Sequence, residues 1–337
     1  MHVHSSSGGG CRIEHEAYSD ANSRAGSAAQ RCASIATVEE AEMNIGIAGT
    51  GRMGSAIAQR LIECGHAVSV WNRSAEKTKA AQMAGAQLAA AAAELTQRCE
   101  LVVTILTNAA AIDAVYHGPQ GLLSGAVKGK LFIEMSTVRP DTERALHAKL
   151  TAKGAQMVEC PVGGTVGPAR EGKLLGLAGA DDASFERAKP VLDQLCRRIE
   201  RCGPVGAGAS MKLAVNLPLI VFWEAFGEAM ALARPLGFEP ARLVELFAET
   251  SGGTNVLKTR GAGVAKALAG EDTGAATFDL DSMRKDLRTM LEEARSRGFE
   301  LPAAASVLAA FDQASAAGQG GIDGVRIPAY VVRRSSG

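Results

Sequence analysis

The sequence predicts an α/β fold, in which a Rossmann-type doubly wound sheet is followed by an all-α C-terminal domain. Three observations support this prediction. Short apolar segments typical of buried strands alternate with helix-like segments from residue 43 to about 205. A glycine-rich turn separates the first strand from the first helix, and strand-like segments stop after about residue 208. We therefore place two domains at 43–205 and 206–330.

The first strand, turn and helix have the pattern of a dinucleotide-binding unit. Residues 43–48 and 67–71 are short, apolar and partly β-branched, as buried parallel strands are. Between them, Gly49 permits a tight turn, Gly51 lets the backbone approach a pyrophosphate, and Gly54 lets the next helix pack on the strand. Backbone N–H groups and the helix dipole favour an anion at this helix N-terminus. The expected cofactor-binding turn is Gly49-Thr50-Gly51-Arg52-Met53-Gly54.

The residues after the second strand distinguish the two nicotinamide cofactors. An acidic residue here would bind the ribose 2′-hydroxyl of NAD and repel the 2′-phosphate of NADP. The chain instead has Asn72-Arg73-Ser74, and its next carboxylate is that of Glu76. A guanidinium binds a phosphate through two parallel hydrogen bonds, and a serine hydroxyl adds another. The pattern predicts NADP(H) in preference to NAD(H); the alternative is an ordinary surface turn.

The remaining elements continue the alternation and then change to helices alone. Further strands are expected at 101–106, 131–135, 155–159, 174–178 and 198–202. Helices are expected between them at 140–153 and 182–195. The C-terminal helices, several of them opened by Pro or Asp, are expected at 211–233, 240–249, 255–267, 281–296 and 302–317.

Composition and charge exclude several classes of protein. The 337 residues include 36 basic and 36 acidic side chains, and this balance disfavours a protein that binds nucleic acid or a membrane surface. No apolar run reaches the roughly 18 residues that cross a bilayer. The seven cysteines form no CxxC pair, which favours free thiols in a reducing cytoplasm over disulfides or a metal site.

Residues 1–42 differ from the rest of the chain. They contain the run Ser5-Ser6-Ser7-Gly8-Gly9-Gly10 and show no strand pattern or apolar face. We interpret them as a disordered or vector-derived extension. A metal cluster of His2, His4, Cys11 and His15 is the alternative.

Two further segments carry candidate chemistry. Residues 159–172 follow a strand, and their glycines leave backbone N–H groups that can hold an anion. Residues 203–216 form a glycine-rich hinge that leads into a helix, with Lys212 and Asn216 four residues apart on one face. By themselves, these features also fit a glycine-rich connection and a surface lysine whose charged end reaches solvent.

Together these motifs resemble the β-hydroxyacid dehydrogenase family, which includes 3-hydroxyisobutyrate dehydrogenases, tartronate semialdehyde reductases and glyoxylate/succinic semialdehyde reductases. The resemblance extends from residue 43 to about 324. The family's Asp-Ala-Pro-Val-Ser-Gly substrate loop corresponds to residues 159–164, and its catalytic stretch corresponds to Gly203, Gly206, Gly208, Lys212 and Asn216. A late Lys-Asp-Leu motif is present at residues 285–287. The glycine turn at 49–54 and the loops at 106–108 and 135–138 also match the family, and all these motifs occur in the family's order, which favours a catalytic Lys212 over a surface one.

The resemblance implies roles for particular residues. Lys212 is expected to be the general acid or base in a hydride transfer between the nicotinamide and a carbinol carbon, with Asn216 orienting it. Besides the glycine turn and residues 72–74, it places these residues at the cofactor: Leu106, Thr107, Asn108, Thr137 and Lys285. Beside Lys212 and Asn216, it places these residues at the small-molecule substrate: Thr137, Gly163, Gly164 and Thr165.

Two departures from the family pattern concern the substrate. Glu159 replaces the usual Asp, and Gly163 replaces the Ser that holds a substrate carboxylate, with Thr165 as a possible substitute donor. The nearest subgroup is that of the glyoxylate/succinic semialdehyde reductases, from the Pro168-Ala169 pair, the 209–212 run and residues 72–74. The physiological substrate, the reaction direction and the subunit number stay open.

Three other functions remain at this point. An imine reductase has a similar scaffold, although such enzymes usually lack the lysine at position 212. A catalytically silent NADP-binding protein is favoured only by the altered substrate loop, and 6-phosphogluconate dehydrogenase has a longer chain and needs a phosphate site.

The helices at 211–233 and 302–317 are apolar over most of their circumference, which predicts a homodimer or homotetramer.

Overall fold

The computed structural model describes residues 42–335, and these form one nine-stranded sheet with helices on both faces, followed by a helical domain. The predictions made for residues 1–41 lie outside the described residues. The strands are β1 Asn44–Ala48, β2 Ala67–Trp71, β3 Gln87–Leu88, β4 Leu101–Thr104, β5 Leu131–Glu134, β6 Gln156–Glu159, β7 Val162–Gly163, β8 Leu174–Gly179 and β9 Cys196–Gly203.

The sheet order places the carboxyl ends of the main strands along one edge. Strands β3-β2-β1-β4-β5-β6 are hydrogen-bonded in that order and all run parallel. Strand β8 is antiparallel to both β6 and β7, and β9 pairs parallel with β8. The loops that follow β1, β4, β5 and β6 therefore meet at one edge, which is where open α/β sheets bind ligands.

Seven helices cover the two faces of this sheet. They are α1 Arg52–Glu63, α2 Lys79–Met83, α3 Ala92–Arg98, α4 Ala109–His117, α5 Pro140–Ala152, α6 Val166–Arg170 and α7 Asp182–Leu195. Successive residues of a strand point to opposite faces, so Ile133 packs in the core beneath α1 and α7, whereas Phe132 packs in the core beneath α3, α4 and α5.

The second domain is built around one long helix. Its helices are α8 Ala207–Ala233, α9 Pro240–Ala248, α10 Asn255–Leu268, α11 Leu280–Ser296, α12 Pro302–Ala314 and α13 Ile327–Arg334. Trp223 and Phe226 of α8 are buried in a core shared with α11, α12 and α13. The helical stretch 207–236 is apolar and long enough to cross a bilayer, although 44% of its apolar window is buried in the protein. Packing of α8 in the core of the helical domain accounts for the apolar residues on the buried side of this helix.

The predicted fold class is confirmed, with three differences in detail. Helices α2, α3, α4, α6 and α13 and the short strand β3 were not predicted; each spans nine residues or fewer, so it shows few repeats of its period in the sequence. The two-residue strand β7 lies inside the predicted substrate loop and exists through its pairing with β8. Strand β8 runs antiparallel to β6, and a buried apolar run has the same appearance in either direction.

A paired substitution tests the packing of the first turn. A Cβ atom on Gly54 would lie 1.9 Å from the carbonyl oxygen of Gly49, so Gly54→Ala has to push α1 away from β1. We expect Gly54→Ala to lower the free energy of unfolding by roughly 1–3 kcal/mol, the usual cost of overpacking. Denaturant unfolding followed by circular dichroism measures this.

Gly51→Ala is the matched control, because no heavy atom lies within 4 Å of the position its Cβ would occupy. The backbone of Gly51, at φ −66° and ψ −168°, also suits alanine. We expect this variant to unfold at the parent's midpoint. Equal stability of the Gly54→Ala protein and the parent would contradict the packing argument.

Candidate active site

The glycine turn is fastened to the loop after β2. Gly49 has φ +102°, a conformation that favours glycine, and its N–H donates to the Trp71 carbonyl at 2.9 Å. The N–H of Thr50 donates to the Asn72 side-chain oxygen at 3.2 Å, and the Asn72 amide donates to the Ser74 carbonyl at 3.0 Å. The predicted pyrophosphate turn and the predicted 2′-phosphate loop therefore form one connected structure.

This turn leaves room and hydrogen-bonding capacity for a dinucleotide. The first turn of α1 receives no side-chain cap, so its N–H groups are available to an anion. The space next to Gly51 is open to 4 Å, and the buried hydroxyl of Thr50 has no partner among the described residues. The residues present therefore fit a dinucleotide, and Gly51 and the α1 N-terminus remain the predicted position of its pyrophosphate.

The side chain of Arg52 contacts the helical domain. Its guanidinium pairs with Asp279 at 2.5 Å and donates to the Ala276 carbonyl, both in the helical domain. Arg73 is exposed and Ser74 half-buried at the surface after β2. Of the predicted arginines, Arg73 therefore has the freer guanidinium.

The loops after β4 and β5 are joined to each other. The N–H of Leu106 donates to the Ser136 hydroxyl at 2.8 Å, and Ser136 is buried. Thr107 is exposed, and the side chain of Asn108 accepts from the Ala111 N–H at 2.9 Å, so it caps α4. Thr137 lies next to Ser136 and is half-buried. These residues lie at the carboxyl edge of the sheet, beside the open turn.

A chain of polar contacts connects Lys212 to this edge. The Lys212 ammonium donates to the Asn216 side-chain oxygen at 3.0 Å, and the Asn216 amide donates to Asp286 at 3.0 Å. The other oxygen of Asp286 lies 2.5 Å from the ammonium of Lys285. Lys285 in turn donates to the Thr137 carbonyl at 2.8 Å. Helices α8 and α11 thus bring two lysines together at the loop after β5.

Burial changes the acidity of the central lysine. Lys212 is only 8% exposed, which excludes the surface position that its sequence spacing alone also allowed. Burial lowers the pKa of Lys212 to about 8; Asp286 opposes this shift, and Lys285 adds to it. A lysine with such a pKa exchanges its proton near neutral pH, as a general acid or base must.

The substrate loop offers mainly backbone groups, and few side-chain groups, to a ligand. Gly163 pairs with Leu175 in the β7–β8 ladder, and Gly164 has φ +125°. A Cβ on Gly163 would lie 3.6 Å from the nearest atom, so the position has room for the serine that the family uses. Thr165 precedes α6, and its hydroxyl makes no capping bond. The loop follows β6 at the same sheet edge as Thr137.

Two contributors to the site were not assigned roles from the sequence. Asp286 connects Asn216 to Lys285, and its position directly after Lys285 in the late motif was the signal that could have identified it. Ser136 connects two cofactor loops, and its place beside Thr137 was the corresponding signal. The cofactor and substrate roles of the sequence-predicted residues themselves stay predictions.

Comparison with known proteins covers both domains. Residues 44–203 match the family described as the NAD binding domain of 6-phosphogluconate dehydrogenase. Residues 206–330 match the family described as the NAD-binding domain of NADP-dependent 3-hydroxyisobutyrate dehydrogenase. Glyoxylate/succinic semialdehyde reductase 1 of Arabidopsis thaliana is 32% identical over 281 residues, which are 83% of this chain and 96% of the relative. The 3-hydroxyisobutyrate dehydrogenase of Pseudomonas aeruginosa is 32% identical over 255 residues, 75% of this chain and 86% of that one.

Solved structures have the same architecture. Psf3 in complex with NADP⁺ and 2-OPP has a TM-score of 0.76 and 26% identity, covering 85% of this chain and 99% of that one. An imine reductase from Myxococcus stipitatus in complex with NADP⁺ has a TM-score of 0.56 and 20% identity. The match covers 84% of this chain and 98% of that one, and at this identity it shows the fold alone.

From the matches over both domains, the chain belongs to the β-hydroxyacid dehydrogenase family of NAD(P)-dependent oxidoreductases that act on CH–OH groups.

Proposed function

We propose that the protein is an NADP(H)-dependent reductase of small semialdehydes or glyoxylate-like keto acids, with Lys212 as its proton donor. The observation that supports this best is the buried contact of Lys212 with Asn216 and, through it, with Asp286. A lysine with only a structural role would not be favoured at this position, because burial destabilises the charged form of its side chain. The similarity to glyoxylate/succinic semialdehyde reductases supports the substrate class.

The reaction requires a hydride and a proton at the two ends of one carbonyl. The nicotinamide supplies or accepts the hydride when it is bound. In reduction, the Lys212 ammonium polarises the carbonyl oxygen and then protonates the alkoxide that forms; in oxidation, the neutral amine takes the hydroxyl proton. Asn216 accepts one hydrogen bond from Lys212 and holds its amine in place, and Asp286 fixes the Asn216 amide.

The preference for NADP(H) is assigned to the loop after β2. Asn72 is occupied by its bonds to Thr50 and Ser74, so it shapes this loop. The exposed Arg73 is then available to a 2′-phosphate, and its guanidinium is suited to bind two phosphate oxygens. The described loop contains no carboxylate before Glu76 that would repel the phosphate.

The substrate loop favours a small substrate that does not depend strongly on a carboxylate. Gly163 offers no hydroxyl, so the backbone N–H groups and Thr165 are the donors available to an acid group. We expect glyoxylate and succinic semialdehyde to be reduced, together with some uncharged aldehydes. An imine reductase on this scaffold is the second candidate, supported by the shared fold and opposed by the buried Lys212.

The helical domain presents an apolar surface for a second copy of the chain. Exposed positions of α8 recur three, four or seven residues apart, so they share one face of the helix. They are Met211, Ala214, Val215, Pro218, Ala225 and Leu232, with Glu228 as the one exposed charged residue of α8 among them. We propose that this α8 stripe forms the interface of a homodimer or a homotetramer, because water-exposed apolar stripes of this length mark protein–protein contacts.

The cofactor proposal is tested by removing one guanidinium. We expect Arg73→Ala to lose about 1.5–3 kcal/mol of discrimination for NADPH over NADH, the range for hydrogen bonds to charged groups. Steady-state kcat/KM with each cofactor measures this. Arg98→Ala, which removes an exposed arginine paired with Glu94 on α3, is the control and should change neither value. A parent enzyme that uses NADH more efficiently would refute the proposal.

The catalytic proposal is tested at Lys212. Lys212→Ala should lower kcat by about 10²–10⁴-fold, the loss expected for a positioned acid, with the Kd of NADPH nearly unchanged. Lys212→Arg should recover little, because a guanidinium does not release its proton near neutral pH. The assay follows NADPH oxidation with glyoxylate, succinic semialdehyde, tartronate semialdehyde and a cyclic imine.

Lys153→Ala is the control for that experiment, since Lys153 is exposed at the end of α5. It should keep the parent kcat. Parental turnover by Lys212→Ala would show that the lysine is not the proton donor. A parent that ignores all three carbonyl acids and reduces the imine would favour the second candidate.

The interface proposal is tested by light scattering. A charge in the α8 stripe, as in Ala225→Glu, should shift the parent oligomer toward the 34.8 kDa monomer, because a buried carboxylate without a partner is costly. Ala241→Glu on α9 places the same charge at an exposed position outside the stripe and should leave the mass unchanged. A monomeric parent at micromolar concentration would rule the interface out.

A further inference from the structure

The side chain of Glu159 binds the beginning of the helix that carries Lys212. Glu159 is the last residue of β6 and is fully buried. One of its carboxylate oxygens accepts the backbone N–H groups of Gly206 at 2.7 Å, Gly208 at 2.7 Å and Ala209 at 3.3 Å. These N–H groups belong to the N-terminus of α8, so the carboxylate caps that helix from a different domain.

The surrounding glycines make room for this contact. A Cβ on Gly179 would lie 2.2 Å from the Glu159 oxygen, and one on Gly208 would lie 2.2 Å from the Leu177 carbonyl and 3.1 Å from the same Glu159 oxygen. A side chain at either position would therefore separate α8 from the sheet. The carboxylate and the two glycines together set the distance between β6, β8 and the start of α8.

The contact joins the two halves of the candidate active site. Glu159 is the first residue of the substrate loop, and Lys212 lies about one helical turn after Gly208. A displacement of the α8 N-terminus would therefore move the Lys212 amine relative to the loop. A shift of about 1 Å in such a group is enough to cost up to 10²-fold in rate.

We propose that Glu159 is a positioning residue, and that its ionised carboxylate holds the α8 N-terminus, and with it Lys212, against the substrate loop. The inference rests on the role of Lys212 in the proposed function. A carboxylate attracts the N–H groups and the positive end of the helix dipole, whereas a carboxylic acid attracts them far less. The contact is therefore strong only when Glu159 has lost its proton.

The environment brings this ionisation into the working range. Burial raises the pKa of Glu159 to about 7; the three N–H groups lower it, and Glu134 on β5 raises it further. The other groups near it are Glu143 and Arg144 on α5, Cys160 beside it and Cys202 on β9. Arg144 approaches Gly206 from the outside, where it pairs with Asp141. Burial and Glu134 raise the pKa of Glu143 well above its usual range.

The sign of the pH dependence follows from these two groups. As pH rises through about 7, Glu159 ionises and kcat/KM for carbonyl reduction should increase. As pH rises through about 8, Lys212 loses the proton that it must donate, and the rate should fall. The reduction rate should therefore be bell-shaped, with Glu159 responsible for the acid limb and Lys212 for the alkaline limb.

Glu159→Gln tests the proposal, because glutamine has the same size and does not ionise. With full-length enzyme, NADPH and glyoxylate, we expect kcat to fall by roughly 10–100-fold at pH 8 and the acid limb to disappear, while the alkaline limb remains. The Kd of NADPH, measured by fluorescence, should stay within about twofold, since the α1 turn is untouched. Glu159→Asp keeps a charge and should retain an acid limb.

Glu143→Gln is the matched control. It replaces a second buried carboxyl of the same region that makes no hydrogen bond to α8, so both limbs should remain. Parental kcat and an unchanged acid limb in Glu159→Gln would overturn the inference, as would the absence of an acid limb in the parent. If Glu159→Gln does not fold, Glu159→Asp and the parent profile decide the question. Parental activity in Lys212→Ala would instead show failure of the proposed function.

Discussion

A charged side chain in the interior of a protein needs polar partners, and Lys212 is bound into a network that spans three separate parts of the chain. Its ammonium binds Asn216 on its own helix, Asn216 binds Asp286 on α11, and Lys285 connects Asp286 to the Thr137 carbonyl after β5. Removal of any one member would leave a buried polar group without a partner. The network therefore fixes how the helical domain lies against the sheet, and the proposed chemistry depends on that arrangement.

The sheet determines where this network meets the dinucleotide turn. Parallel strands end at a common edge, so the loops after β1, β4, β5 and β6 are neighbours although they are far apart in the sequence. Hydrogen bonds then connect the loop after β4 to the loop after β5, between Leu106 and Ser136, and the loop after β1 to the loop after β2, between Thr50 and Asn72. The Arg52–Asp279 ion pair extends the connection to the helical domain. The candidate site is thus closed by contacts that cross the domain boundary.

Glu159 and Gly163 mark where this chain departs from its family's usual loop, and the structure gives each departure a distinct consequence. At Gly163 the available space is unused, so the change removes a hydroxyl donor and leaves the fold undisturbed. At Glu159 one carboxylate oxygen reaches three N–H groups of α8 in a space bounded by Gly179 and Gly208, while the other oxygen has no partner among the described residues. The first departure concerns what the substrate loop can bind, whereas the second concerns how the loop is held relative to Lys212.

The sequence by itself determined the fold class and most of its elements, because period and glycine placement are local properties. Local sequence patterns predicted the turn from Gly49 to Gly54, the helix at 182–195 and the change to helices after β9. Family resemblance was needed to select Lys212 as catalytic, since an i,i+4 pair of polar residues also occurs on exposed helix faces. Only the tertiary structure decided the antiparallel direction of β8, the burial of Lys212, and the contacts of Asp286 and Glu159. The contacts of Glu159 and Asp286 join residues that are 47 to 70 positions apart, and such meetings are set by the packing of whole elements, which no local pattern encodes.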